Sequence, residues 1–415
     1  MPDTIQVLDQ THVSELGVTI RNAGVAGAGG AGFPTYAKWN RIDEVEALMV
    51  NHQESEPNYY IDKWLGRERA DDLAALFDAL LGEALDLVVV GAKLSDRTRW
   101  VADLESATDA TVYKPEDLPV DRERESGVVI AYTDDIYQLG MESVLLNTVG
   151  DTVIGRDLPM DHGWIVQNTE TLVAIHDALL DGNTMTDKYV HVDGGGAEHR
   201  FLKVPVGTPA SALLSAAGVP VNDLPEDAVL ADGGPGWCFE ITRDPTEFGV
   251  RKRTNCILIL DEETVEEQTF GDDRIDVQDI RDWKGDGHER HPSDEIDPEM
   301  VRIPLITNPA FEGIVNRSQP IVGEGDAVSA GEMIAVPGEG GISIPQHASI
   351  DGEIADVSES HVTIRRQDPH IDSGRTAVIE ATDRLYWTWC QACGEFVIPE
   401  ETVMDPKSYV CEDCR

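Results

Sequence analysis

Lysine is nearly missing from this chain: 9 lysines and 23 arginines stand against 78 acidic residues, a formal charge of −46. That deficit excludes nucleic acid or an anionic membrane surface as the main partner, because phosphate would be repelled almost everywhere. Long hydrophobic runs are missing too. Stretches such as LDLVVVGA (85–92) fall far short of the ~20 residues a membrane span needs. The N-terminal MPDTIQVLDQ lacks the positive region and apolar core of a secretory leader, so a cytoplasmic location, at most peripheral to a membrane, is expected. Cysteine is scarce: there are six, and none between Cys256 and Cys390. This usage fits a reducing compartment with a metal site better than a disulfide framework.

What is present argues for a folded protein. A hydrophobic content of 41%, 8 tryptophans and repeated strand-like runs speak against a disordered acidic chain. The acidity then reads as adaptation to high salt, with carboxylates spread over the surface.

Residues 12–25 carry apolar residues at helical spacing and stop at Gly24. VEALMVNH (45–52), DLVVVGA (86–92) and SGVVIAYT (126–133) read as strands, while 70–85 and 141–150 read as helices. Strands alternating with helices at this spacing predict a parallel α/β domain over 1–185. A strand, glycine turn, strand and short helix from 188 to 218, with two later strands, predict a small α+β unit over 186–262. Residues 263–298 are acidic and contain Pro and Gly, as in a solvated linker. Short β-runs between glycine turns predict an all-β domain over 299–381, followed by a cysteine unit over 382–415.

Between the first helix and the first strand lies AGAGGAGFPTYAKWN (26–40). Glycines let backbone N–H groups converge on a phosphate with no Cβ in the way, and Lys38 would add a point charge. A ligand-free glycine turn is the competing reading, and the loop is not the Rossmann fingerprint, since no strand directly precedes it. Three further motifs follow in order: VNHQESEPNYYIDK (50–63), YQLGMESVLL (137–146) and WIVQNTETLVAI (164–175). With the loop, they resemble the flavin-carrying, NADH-oxidising subunit of respiratory complex I and its relatives. These relatives include the C subunit of the Rnf electron-transport complex and the cobalamin reductase of propanediol metabolism.

The resemblance implies FMN as cofactor and NAD(P)H as substrate, in a flavoprotein of the NAD(P)H dehydrogenase type. It implies that Gly27, Gly29, Gly30, Gly32 and Lys38 hold the FMN phosphate and ribityl side. Asn51, Glu54 and Glu56 would line the flavin and nicotinamide site, and Tyr137, Gly140, Glu142 and Asn168 would close it. Met141 and Gln53 stand where complex I has acidic residues. The α+β unit resembles the β-grasp domain of these families. Residues 322–357 resemble their barrel-sandwich hybrid domain, but no lysine stands between Lys284 and Lys407 to carry lipoate or biotin. The ferredoxin-type clusters of the relatives have no counterpart, since their cysteine run is absent. Electrons would therefore pass from flavin to a partner protein, a membrane complex or a small acceptor. The alternative is a non-catalytic docking subunit of a membrane-associated complex with an empty flavin site.

The tail holds Cys390-x2-Cys393, seventeen residues, then Cys411-x2-Cys414. Two such knuckles can set four thiolates around one ion, which predicts a zinc ribbon, with iron at the same four cysteines as the alternative. Cys238 and Cys256 sit in apolar strand contexts and read as buried, inert thiols. Asp134-Asp135 reads as an ordinary turn. His288 and His291, in the acidic stretch, read as solvated side chains.

Overall fold

A computed structural model describes residues 15–285, 287–293 and 296–367, together with two short paired strands, Thr388–Trp389 and Phe396–Val397. The four tail cysteines lie outside the described residues.

The first unit is built on a parallel sheet. Its strands are β1 (Ala47–His52), β2 (Leu87–Lys93), β3 (Thr111–Tyr113), β4 (Gly127–Thr133) and β5 (Trp164–Asn168), in the order β3-β4-β2-β1-β5. Every neighbouring pair is parallel. Their near-continuous apolar runs follow from burial on both faces. Side chains alternate between two cores. Leu48, Val50, Val88, Val90, Val128 and Ile130 face the helices Leu16–Asn22, Ile61–Glu68, Ala70–Glu83 and Thr169–Leu180. Ala47, Met49, Leu87, Val89, Val129 and Ala131 face Leu145, Leu146 and Val149 of the helix Glu142–Val149. The strands and helices expected from periodicity up to residue 168 are all present, with ends shifted by a few residues.

The second unit is a seven-stranded sheet of β6 (Asp187–Gly194), β7 (Arg200–Pro205), β8 (Ala228–Gly234), β9 (Trp237–Glu240), β10 (Cys256–Asp261), β11 (Thr269–Phe270) and β12 (Arg274–Ile275). The order is β11-β12-β9-β8-β10-β6-β7; β6 and β10 are parallel, and the helix Ala210–Ala216 follows the β6–β7 hairpin. The third unit, from Met300 to Arg366, has a four-stranded and a three-stranded antiparallel sheet. No α-helix occurs there among the described residues.

Two expectations need correction. The stretch 263–298 is not a free linker. It carries most of the helix Glu262–Gln268, the edge strand β11 and its neighbour β12, and buries Val277 and Trp283 in a core with Cys238, Cys256 and Ile275. Most of its described acids are exposed, while a few apolar residues at wide spacing anchor it, a pattern too sparse to register as periodic. His288 is not solvated either: its side chain is 9% exposed. Cys238 and Cys256 are buried, as their apolar contexts predicted, and burial pushes the Cys238 thiol up to about 12.

Candidate functional site

In a parallel α/β sheet, ligands bind beyond the C-terminal strand ends. Here Asn51, one residue before the end of β1, is the register partner of Asn168, which closes β5. The glycine loop is fixed above them. An antiparallel bridge joins Ala26 to Pro34, Gly32 N–H donates to Gly27 O (2.9 Å), and Ala28 N–H donates to Thr171 Oγ1 (2.9 Å).

The loop glycines do different work. A Cβ on Gly29 would stand 3.0 Å from Asn168 Nδ2. One on Gly32, where φ is +65°, would stand 3.1 Å from the Arg253 side chain and the Thr307 carbonyl. Close packing by itself accounts for both. Gly30 differs: φ is +99°, and nothing lies within 4 Å of where its Cβ would be. The amides of Gly29 and Ala31 donate to no described group. The loop crest thus offers free N–H groups and open space, which suits an anionic group.

The adjacent helix end is not available for that purpose. Asn168 caps it, its Oδ1 accepting from Thr171 N–H (3.1 Å), and Asp62 Oδ1 accepts from Glu170 N–H (2.9 Å). Beneath the cradle sits a buried carboxylate group. Glu54 Oε2 accepts from Asp62 N–H at 2.5 Å, and burial pushes its carboxyl up to about 7, against the pull of Lys63. Asp62 is also raised, by burial and then by Glu54 and Glu170. Glu170 is paired with Lys188, at 2.6 Å.

Other expected site residues are brought together in pairs. Lys38 Nζ donates to Glu142 Oε2 (2.7 Å) and to the Val166 carbonyl (3.1 Å). Asn51 Nδ2 donates to Gly140 O (2.8 Å). Tyr137 Oη donates to Glu56 Oε1 (2.6 Å), while Glu56 Oε2 accepts from Gly236 N–H (2.8 Å) in the second unit. Glu56 and Tyr137 therefore pin the two units together. Met141 is 39% exposed, and Gln53 is buried with its Nε2 on Thr133 Oγ1 (3.2 Å).

Residues from later units complete the loop. Arg253, held by Asp232 at 2.8 Å, reaches Gly30 O with Nη1 (3.4 Å). Asn308 Nδ2 donates to Ala31 O (2.8 Å), and Phe311 packs edge-on against Phe33. Periodicity gave no sign of these. Thr171 could have been found, since it stands in the fourth motif.

Residues 20–177 match the family model described as the Nuo51 FMN-binding domain. The chain is 32% identical over 247 residues to the C subunit of the ion-translocating oxidoreductase complex of Pseudomonas aeruginosa, covering 58% of this chain and 29% of that one. It is 29% identical over 245 residues to the cobalamin reductase PduS of Citrobacter freundii, covering 58% and 49% respectively. The chain thus spans from under a third to about half of these relatives' length. Among solved structures, the H2-reduced NAD+-reducing [NiFe]-hydrogenase aligns with TM-score 0.48 and 22% identity, over 63% of this chain and 50% of that chain. Residues 20–177 thus match the Nuo51 FMN-binding domain, in a chain similar to the C subunits of ion-translocating oxidoreductase complexes and to cobalamin reductase.

Proposed function

We propose that this chain is an FMN-dependent NAD(P)H oxidoreductase that passes electrons through flavin to a partner protein or small acceptor. One observation carries the reading: within a Nuo51-type domain, the loop crest at Gly30 is open and flanked by the amides of Gly29 and Ala31, which have no partner among the described residues. Those amides would hold the phosphate, and Asn51 and Asn168 would bound the ring side at the strand ends. When bound, FMN supplies hydride acceptance from a nicotinamide and one- or two-electron release. Glu54, poised near neutrality by burial, can hold or yield a proton close to the strand ends. Lys38 offsets the Glu142 carboxylate, so that this acid does not oppose an anion on that side.

Reconstitution in molar KCl should give one FMN per chain and bleaching of the flavin absorbance by NADH or NADPH. Reoxidation with a ferredoxin-type protein, a quinone and a corrinoid would then identify the acceptor. A folded chain that takes up no flavin would favour the docking-subunit reading, in which Glu56, Tyr137 and Lys38 serve only assembly.

The tail cysteines Cys390, Cys393, Cys411 and Cys414 are proposed to hold one zinc. Elemental analysis should find zinc and no iron, and a chelator should leave the flavin spectrum intact. Iron with a reducible thiolate charge-transfer spectrum would make the tail the electron exit.

A further inference from the structure

We propose that a cavity between the second and third units binds one tetrahedral oxyanion, a phosphate either free or as the phosphoryl group of a small ester. Arg243, Arg251, Arg302 and Arg317 line it. No residue of the glycine loop or of the ends of β1 and β5 does, and the site stands apart from the flavin reading.

The backbone brings the four guanidinium groups together. Arg243 and Arg251 lie on the segment between β9 and β10, and Arg302 lies on the strand Met300–Pro304 of the third unit. Gly207 stitches the two segments: its N–H donates to Val250 O (2.8 Å), and its carbonyl accepts from Arg302 N–H (2.7 Å). Arg302 Nε then donates to Thr246 O at 3.0 Å.

The lining is basic in a chain whose formal charge is −46. Four guanidinium groups stand there against one carboxylate, that of the exposed Glu247. Pro304, Ile306 and Pro309 add apolar walls, beside which charges attract more strongly than in water. The cavity measures about 100 Å³, far below the ~300–1,000 Å³ that encloses a whole organic ligand. One small oxyanion suits that space.

The donors are largely unspent. The Arg251 side chain is 17% exposed, yet makes no hydrogen bond among the described residues. Its Nε is buried without a partner, and its Nη1 stands 3.6 Å from Asp232, which bonds Arg253 at 2.8 Å instead. Burial lowers this guanidinium to about 10 even so close to Asp232. A buried charge in that state calls for a partner. Arg243 has no ion pair or hydrogen bond among the described residues. Arg302 sets Nη1 3.4 Å from His361 Nε2 and leaves Nη2 unpaired. Arg317 is the most engaged, by Glu312 and the Glu359 carbonyl. Guanidinium forks match the paired oxygens of a phosphate, a geometry that chloride does not offer.

Phosphate binding to the full chain, at fixed ionic strength in KCl, tests this. Equilibrium dialysis should find one inorganic phosphate on wild type that Arg302→Gln loses and that Arg243→Gln holds roughly tenfold more weakly. Arg243 has no partner to lose, so its variant should fold even if Arg302→Gln does not. The same phosphate should raise the thermal midpoint of wild type and leave that of Arg302→Gln unmoved. Gly30→Val, whose new side chain fills the loop crest, should keep this phosphate. Its loss there would place the anion at the glycine loop and overturn the site. Tighter binding of glycerol 3-phosphate would make the ligand an ester, and the reverse order the free ion; either supports the site. Equal uptake and equal thermal shifts in wild type and both variants would overturn it. So would an equal shift from acetate at matched ionic strength, which is general screening.

Discussion

Replacing Gly30 by valine is expected to abolish flavin retention while leaving the chain folded. At φ +99° any L-residue is strained, at a cost of about 1–2 kcal/mol. Nothing of the protein lies within 4 Å of the new Cβ, so the fold itself has no clash to relieve. The side chain instead fills the space above the loop amides. Losing two charge-assisted hydrogen bonds from Gly29 and Ala31 to a phosphate costs roughly 1.5–3 kcal/mol each. Together that is about 3–6 kcal/mol, or roughly 10²–10⁴-fold in affinity. Gly30→Ala carries the same backbone strain with less bulk and should fall between. Lys38→Ala should weaken binding less, since it leaves the amides intact and mainly strands the Glu142 carboxylate and the Val166 carbonyl. Flavin fluorescence titration against each variant, with circular dichroism as the fold control, reads the series. Stoichiometric FMN in folded Gly30→Val would sink the loop assignment.

Moving the protein from dilute buffer to molar KCl is expected to raise its thermal midpoint steeply. Across that range the screening length falls from about 30 Å at 0.01 M to about 3 Å at 1 M. The few lysines are moreover partly consumed inside. Lys93, Lys188 and Lys252 are 4%, 0% and 3% exposed, each satisfied by an internal acceptor or carboxylate. Burial lowers Lys252 to about 7 where its Nζ donates to the Gly24 carbonyl. These cations do little to offset the exterior field. Each kcal/mol of relieved repulsion moves the midpoint of a chain this long by about 1–2 °C, so a rise of roughly 10 °C corresponds to about 5–10 kcal/mol of relieved repulsion. Most of it should come below about 0.5 M, where screening changes fastest. Calorimetry or tryptophan fluorescence across a KCl series measures it. A midpoint independent of salt would show that the acidity has another cause than salt adaptation.

The parallel sheet is legible in the sequence because its signals are local. Leu87–Lys93 is an unbroken apolar run because helices cover both faces, and the alternation of Leu48 and Met49 between two cores is a period-2 pattern within one strand. The acidic stretch after residue 262 hides its structure because its anchors, Ile275, Val277 and Trp283, form no period. The burial of His288 is hidden for a related reason. Its surroundings in sequence are charged, and its burial comes from His199, stacked on it at 4.0 Å between ring centroids.

By itself, the sequence determined β1, β2 and β4, the helices near 70–85 and 141–150, and the glycine loop that precedes β1. All of these follow from spacing within a few residues, where backbone geometry leaves little choice. Only the tertiary structure decided how each loop glycine is used. Gly29 is set by Asn168, Gly32 by Arg253 and Thr307, and Gly30 is left open. It also decided that Glu56 and Tyr137 join two units through Gly236, and that His199 meets His288. Those partners are separated by tens to hundreds of positions, and no local period encodes a contact made only when separate sheets pack.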